Sequence, residues 1–111
     1  MIKSNHSISY DIIKNAIYEA IPSAIIEQII VFGSYARGDN TTDSDVDICV
    51  IVNIALTRDE VRNYRKEICN AFIKQHRLPI DLLIKSSDYY NRYKSVACSI
   101  ERAIATEGIR L

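Results

Sequence analysis

Two closely spaced features within residues 31–50 restrict this chain more than any other part of its sequence. An apolar run ends in Gly33 and Ser34, a polar loop follows, and Asp45 and Asp47 open a second apolar run. Glycine gives the backbone the freedom to form a tight turn, whose N–H groups can bind phosphate oxygens. The two aspartates lie two residues apart in a predicted strand, so their carboxylates are expected on one face. The stretch therefore predicts a phosphate-binding turn beside two ligands for a hard cation such as Mg²⁺.

Further residues of the same turn are candidates for holding phosphate. The Ser34 hydroxyl can add a hydrogen bond, and Gly38 supplies a second position of high backbone freedom. The guanidinium of Arg37 suits phosphate, although a solvated turn residue is an equal alternative. Residues 34–37 are predicted to begin a short helix, whose N-terminal N–H groups would face an anion. We therefore predict nucleotide-binding roles for Gly33, Ser34, Arg37 and Gly38.

The motif resembles that of the nucleotidyltransferase superfamily that includes DNA polymerase beta. Gly33-Ser34, the ten residues 35–44 and then Asp45-Val46-Asp47 match its pattern. Within it, GSYARG and SDVDI look like the minimal nucleotidyltransferases, which are often encoded beside a HEPN-domain partner. The resemblance implies transfer of AMP from ATP, or of another nucleotide from its triphosphate, to a hydroxyl group, assisted by two Mg²⁺ ions. The alternative is a Gly-Ser turn and an acidic hairpin on an ordinary sheet.

A third carboxylate lies in a later apolar run. Asp81 stands between Ile80 and Leu82, where a charge is costly unless it is paired or binds a metal. An aspartate on an edge strand that faces solvent is the alternative interpretation. The superfamily resemblance implies that Asp81 joins Asp45 and Asp47 as a catalytic residue and metal ligand. A carboxylate placed there would also help to deprotonate the acceptor hydroxyl.

Hydrophobic periodicity predicts the remaining elements. We expect an α/β fold, a small mixed β-sheet flanked by helices on one side, of the polymerase beta-like nucleotidyltransferase type. Thr57 with Glu60 three residues later is a capping-box pattern, and Gly108 is a predicted C-cap. The predicted helices cover 9–21, 57–76 and most of 86–107, and the predicted strands cover 29–32, 45–53 and 79–85.

Size and charge narrow the function further. At 111 residues the chain is expected to form a single domain, 1–111. Lys and Arg total 14, as do Asp and Glu, and this formal net charge of zero argues against a long nucleic-acid ligand. No membrane span or signal-peptide pattern is visible. The three cysteines fit neither a zinc site nor a disulfide framework, which indicates a reduced, cytoplasmic protein.

The acceptor hydroxyl has more than one candidate source. The family resemblance implies a tyrosine of a HEPN-domain ribonuclease toxin, with this chain acting as its antitoxin. A small molecule is a second possibility, as in the aminoglycoside nucleotidyltransferases, which usually carry an additional helical domain. A third is a catalytically idle subunit that only masks a partner.

Overall fold

Four strands form one mixed sheet in the residues that a computed structural model describes, which are 10–41, 43–77 and 79–111. The strands are β1 (Ile26–Phe32), β2 (Val46–Val52), β3 (Ile80–Ser86) and β4 (Ile109–Arg110). Their spatial order is β3-β2-β1-β4. β1 is antiparallel to both β2 and β4, whereas β2 and β3 are parallel. β2 and β1 therefore lie at the centre, and β3 is an edge strand.

Helices cover both faces of this sheet. They are α1 (Tyr10–Ala20), α2 (Gly33–Arg37), α3 (Arg58–His76), α4 (Ser87–Tyr93) and α5 (Ile100–Glu107). No helix in the described ranges is long and apolar enough to cross a membrane. The predicted α/β class is confirmed, but the expectation of helices on one side only is wrong.

The core explains why both faces are covered. On one face, Ile17 of α1 and Phe72 of α3 pack with Ile48 of β2. On the other face, Tyr90 of α4 and Ile104 of α5 pack with β2 and β1 side chains. The apolar side chains of β2 point alternately to the two faces of the sheet. Both faces must therefore be covered to keep these side chains out of water. The apolar residues of the second face are Ile30, Phe32, Cys49 and Ile51.

The capping signals of α3 behave as the sequence predicts. The Thr57 hydroxyl accepts a hydrogen bond from the Glu60 N–H at 3.1 Å, and the Glu60 carboxylate accepts one from the Thr57 N–H at 2.9 Å. The capping box is therefore confirmed. α1 also agrees with the prediction, since it ends at Ala20 before Pro22; the predicted first residue, 9, lies outside the described residues.

The C-terminal third differs from the single long helical segment that was predicted. α4 ends at Tyr93 and α5 begins at Ile100, because Cys98 has a left-handed φ of 68° and the Ser99 hydroxyl caps α5 by accepting from the Arg102 N–H. Val96 is consequently exposed rather than part of an apolar stripe.

The chain ends in a strand that the sequence pattern did not indicate. β4 pairs with β1 through Ile30 and Val31. Gly108 caps α5 just before it, as predicted, by donating its N–H to the Ile104 carbonyl at 2.9 Å. A Cβ atom at Gly108 would overlap the Ile30 side chain and the same carbonyl. The glycine therefore lets the chain pass directly from α5 to the edge of β1.

Candidate active site

Three carboxylates gather where β2 and β3 begin. Asp47 and Asp81 are direct partners in the parallel pairing of these strands, and adjacent strands lie roughly 4.8 Å apart. Both residues occupy the face covered by α4 and α5, since Leu82 and Ile48, one position further along, belong to the opposite core. Asp45 immediately precedes β2. The fold thus brings together the three acids that the sequence predicts.

The carboxylate of Asp47 is half-buried. Partial burial raises its pKa, and the negative charges of Asp81 and Asp45 raise it further. The positive charge of Arg37 acts in the opposite direction. Asp81 and Asp45 are both exposed. The alternative interpretation of Asp81, an aspartate on an edge strand that faces solvent, therefore agrees with its position and its exposure. Asp81 is nevertheless the strand partner of Asp47, and its charge acts on that carboxylate.

Gly33 forms the floor of this acidic site. Its φ is +71°, in the left-handed region that favours glycine. Phe32, the last residue of β1, is the strand partner of Asp47. A Cβ atom at Gly33 would overlap the Asp47 carboxylate. Both the backbone conformation and the available space therefore require glycine, and the predicted turn lies directly against the predicted metal ligand.

The rest of the turn is a single helical turn, α2. The Ser34 carbonyl accepts hydrogen bonds from the N–H groups of Gly38 and Asp39, at 2.9 and 3.1 Å. Gly38 ends α2 with a φ of +84°, and a Cβ atom there would meet nothing within 4 Å. Gly38 is therefore required by its conformation alone. Ser34 is half-buried and directly follows Gly33 in the chain.

Arg37 lies at the rim of the site and contacts two acids. Its Nε is 3.2 Å from the Asp39 carboxylate and its Nη1 is 3.0 Å from the Glu107 carboxylate. These contacts raise the pKa of Arg37, and the hydrogen bond to Asp39 is the main cause. The charge of Arg37 also lowers the pKa of Asp47, so Arg37 is close enough to affect the electrostatics of the site.

Two further residues near the site were not predicted to belong to it. Glu107 reaches Arg37 from 70 positions away, and no local pattern could have linked them. Tyr35 lies in α2, and its pKa is raised by burial and then by the charge of Asp45. Its hydroxyl is therefore within the electrostatic reach of that carboxylate. The motif spacing singles out Gly33-Ser34 and Asp45-Val46-Asp47, and it assigns no role to the residues between them.

The donor set determines which cation would fit. Among the residues that the structure describes, no cluster of three or more His, Cys, Asp or Glu side chains forms a ready-made metal site. Mg²⁺ is usually bound through one or two carboxylates, several waters and substrate phosphates rather than by an all-protein cage. The oxygen donors of Asp45 and Asp47 fit that mode, and the raised pKa of Asp47 marks a local excess of negative charge that a cation would offset.

Comparison of the sequence with known protein families identifies the family of this chain. The family described as "Nucleotidyltransferase domain" matches residues 11–110. The chain belongs to the nucleotidyltransferase domain family. The prediction that this protein is a nucleotidyltransferase enzyme is therefore confirmed, and the matched range contains both the glycine turn and all three carboxylates.

Two proteins of Methanocaldococcus jannaschii are similar to this nucleotidyltransferase in sequence, and each bears the name putative protein adenylyltransferase. The first is 31% identical over 83 residues, which cover 75% of this chain and 75% of the relative. The second is 33% identical over 70 residues, which cover 63% of this chain and 66% of the relative.

Chains from solved toxin–antitoxin structures share the fold of this nucleotidyltransferase. One from the MntA–HpeT pair aligns with a TM-score of 0.67 at 19% identity, over 93% of this chain and 72% of that one. One from a toxin–antitoxin with AMP-PNP gives 0.67 at 22% identity, with the same coverage of 93% and 72%. One from a complex of tri-AMPylated Shewanella oneidensis HEPN toxin with MNT antitoxin gives 0.57 at 19%, over 90% and 66%. The predicted fold and the resemblance to minimal nucleotidyltransferases are confirmed.

Proposed function

We propose that this nucleotidyltransferase transfers AMP from ATP to a hydroxyl group of a partner protein, in a reaction that requires Mg²⁺. The observation that carries the proposal is the contact between the glycine turn and the acidic pair. Gly33 lies against Asp47, and Asp47 is the strand partner of Asp81. A phosphate held by the turn would therefore lie beside both a metal-binding carboxylate and a candidate base.

The turn would hold the triphosphate of ATP. Its backbone can approach the phosphates closely because Gly33 has no side chain. Ser34 would donate a hydroxyl hydrogen bond, and Gly38 would allow the turn to close. Arg37 would offset phosphate charge at the rim, where it already lies between two carboxylates. The position of all four residues in one turn supports these assignments.

The carboxylates would divide the chemistry between them. Asp45 and Asp47 would hold Mg²⁺, with Asp81 completing the ligand set. Mg²⁺ held by these carboxylates, as two ions by family analogy, would supply neutralisation of the charge that develops on the phosphates. Asp81 is exposed at the sheet edge, where a substrate hydroxyl can reach it, so its carboxylate would accept the proton of that hydroxyl. The hydroxyl oxygen bonds to the α-phosphorus, the bond to the bridging β-phosphate oxygen breaks, and pyrophosphate leaves.

The acceptor that we propose is a tyrosine of a HEPN-domain toxin, which this chain would silence as an antitoxin. Two relatives bear the name protein adenylyltransferase, qualified as putative, and a chain from a complex with an AMPylated HEPN toxin shares the fold. An added nucleotide would place a bulky anion where the toxin binds RNA phosphate, and repulsion would then exclude the RNA. The three free cysteines, Cys49, Cys69 and Cys98, agree with the reducing cytoplasm where such a pair would act.

Intact-mass measurement tests the proposal. The chain is coexpressed with the product of its neighbouring gene, and the mass of that product is compared with and without the Asp45→Asn/Asp47→Asn double substitution. Additions of AMP that depend on both aspartates would support protein adenylylation. An inhibited but unmodified partner would instead favour a masking subunit, and labelling of aminoglycosides by ATP would favour a small-molecule enzyme.

A further inference from the structure

A groove lies at the ends of β2 and β3 that are remote from the carboxylates. Its volume is about 250 Å³, and its walls include Val52 and Ser86 from the two strands with Leu56 and Val61 from the start of the α3 region. Ser86 follows Asp81 by five residues along β3, which corresponds to roughly 16 Å. The groove is therefore separate from the proposed catalytic site but lies along the same edge strand.

Basic side chains continue this groove along α3. A second hollow of about 480 Å³ shares Leu56 and Val61 with the first and adds Arg58, Arg62 and Arg65. All three arginines are exposed. We call the two hollows together the arginine groove. Its walls combine apolar side chains with guanidinium groups, which is the composition of a surface for a ligand that is both apolar and anionic.

Among the residues that the structure describes, no acid lines either hollow, and two acids at the start of α3 already have partners. Asp59 lies 2.7 Å from the Arg62 guanidinium. The Glu60 carboxylate accepts a hydrogen bond from the Thr57 N–H in the capping box. Asp88, beside the lining residue Tyr89, is exposed but is not among the residues that line either hollow. Within the described ranges, Arg58 and Arg65 form no salt bridge. These two guanidinium groups are therefore available to carboxylates of a partner.

Exposed apolar side chains flank the same surface. Tyr89 lines the groove and is 47% exposed, and Ile54, next to the lining residue Ala55, is 46% exposed. Lys85 also lines it, but its ammonium is 3.0 Å from the Glu101 carboxylate. The apolar walls disfavour a nucleic acid, and the zero net charge of the whole chain does not provide the broad basic surface that RNA requires.

We propose that the arginine groove docks an acidic segment of the protein acceptor, with apolar side chains of that segment in the groove and its carboxylates on Arg58 and Arg65. This inference rests on the proposed function. Docking at a distance of roughly 16 Å leaves the carboxylate site open. The acceptor hydroxyl would then reach Asp81 from a partner that is already bound, which raises its effective concentration at the site.

Binding of two synthetic peptides tests the docking surface. One is an amphipathic 16-residue peptide of leucine and glutamate with a single tyrosine; the other has lysine in place of every glutamate. Fluorescence anisotropy gives their affinity for the full chain at low and high salt. We expect the acidic peptide to bind, the basic peptide not to bind, and the affinity to fall with added salt because the arginines are exposed. Equal binding of both peptides would overturn the proposal.

Two kinds of variant test the location. Arg58→Glu/Arg65→Glu reverses the unpaired charges, and Ala55→Trp fills the apolar part without changing charge. Each variant should lower the affinity for the acidic peptide by at least about tenfold. Lys66→Glu/Lys74→Glu makes the same change in net charge on exposed positions of α3 that do not line the groove. If this control weakens binding as much, the groove is not the docking site; thermal melts confirm that each variant is folded.

Further measurements separate this inference from the proposed function. Isothermal titration with ATP and Mg²⁺ should give the same affinity for wild type and Arg58→Glu/Arg65→Glu. Failure of the wild type to bind ATP would reject the proposed function and leave the peptide result intact. Normal ATP binding with no acidic-peptide binding would reject the docking surface alone. Displacement of the peptide by oligouridine, or self-association of the chain that Ala55→Trp abolishes, would overturn the protein-acceptor assignment in favour of RNA or a second copy.

Discussion

The guanidinium of Arg37 lies 3.0 Å from the carboxylate of Glu107, a residue 70 positions later in the chain. This contact connects the end of α2, which belongs to the glycine turn, to the end of α5. Arg37 also contacts Asp39 within its own loop and lowers the pKa of Asp47. The residue that was predicted to bind phosphate therefore has a defined orientation before any phosphate is present.

We expect Glu107→Gln to weaken ATP binding more than Asp39→Asn does. Glu107 holds Arg37 from another element, whereas Asp39 belongs to the same loop and moves with it. Titration of each variant with ATP and Mg²⁺ gives the comparison. The exchange variant Arg37→Glu/Glu107→Arg should regain thermal stability relative to Arg37→Glu while remaining weak in ATP binding. An equal loss of affinity in Glu107→Gln and Asp39→Asn would contradict a positioning role for Glu107.

Replacing both motif aspartates should abolish AMP transfer without unfolding the protein. Asp45→Asn/Asp47→Asn removes two of the three proposed metal ligands but keeps the shape of the side chains. Because Asp47 is held near two like charges, the metal-free variant should melt at the same temperature as wild type or above it. Transfer is followed with labelled ATP, and unfolding by circular dichroism. Transfer at the wild-type rate would show that these residues do not form the site.

Stability should decrease with rising pH in a window set by Asp47. Its pKa in the folded protein is raised above the ordinary value of 3.8, so between these two values the folded state binds more protons than the unfolded state. Folding is therefore favoured at the acidic end of the window, and this contribution is lost as pH rises through the raised pKa. The melting temperature is compared in wild type and Asp47→Asn, from about pH 4 to 7 in EDTA. The melting temperature of Asp47→Asn should rise relative to that of wild type as the pH increases. A difference that stays constant over this pH range would contradict the assignment to Asp47.

The two glycines of the turn should respond differently to alanine. Both have positive φ, but only Gly33 has a neighbour, the Asp47 carboxylate, in the space that a Cβ would fill. Gly38→Ala should cost about 1 kcal/mol of unfolding free energy through backbone strain alone. Gly33→Ala should cost more, about 2–3 kcal/mol, and should also block ATP binding. Ser34→Ala should lose about 0.5–1.5 kcal/mol of binding energy, one hydrogen bond. Equal effects of the two glycine substitutions would exclude a close approach to Asp47.

The ion pair of Lys85 and Glu101 should behave as a buried pair. The Glu101 side chain is 6% exposed and that of Lys85 is 21% exposed, and their charged atoms are 3.0 Å apart. Glu101→Leu alone should destabilise the fold by about 3 kcal/mol, because it leaves Lys85 without a partner. Lys85→Met/Glu101→Leu should be much closer to wild type. Urea unfolding of the three proteins measures both values; a double variant as unstable as the single one would contradict this account.

The sequence predicts the active site better than it predicts the C-terminal fold, for a physical reason. The glycine turn, Asp45 and Asp47 depend on conformations within one short stretch. The cost of a charge in an apolar strand singles out Asp81, and the superfamily resemblance implies that it joins the other two; its register opposite Asp47 is visible only in the sheet. Local chemistry therefore carries most of the proposed catalytic machinery.

The features that could not be predicted depend on distant or very short contacts. The two-residue strand β4 is too short to show a period, and it exists because it pairs with β1. The break before α5 depends on the positive φ of Cys98 and on the Ser99 cap. The partnership of Arg37 and Glu107 spans most of the chain. None of these leaves a pattern in neighbouring residues.

The pairing of β4 with β1 has a consequence for the order of protein synthesis. β1 leads directly into the glycine turn, and its outer edge is completed only by Ile109, Arg110 and the hydrogen bond from the Leu111 N–H to the Ile29 carbonyl. On the ribosome, the strand that leads to Gly33 emerges early but keeps an open edge until those three residues follow. We therefore expect β1 to gain its second neighbouring strand only after residues 109–111 have been translated.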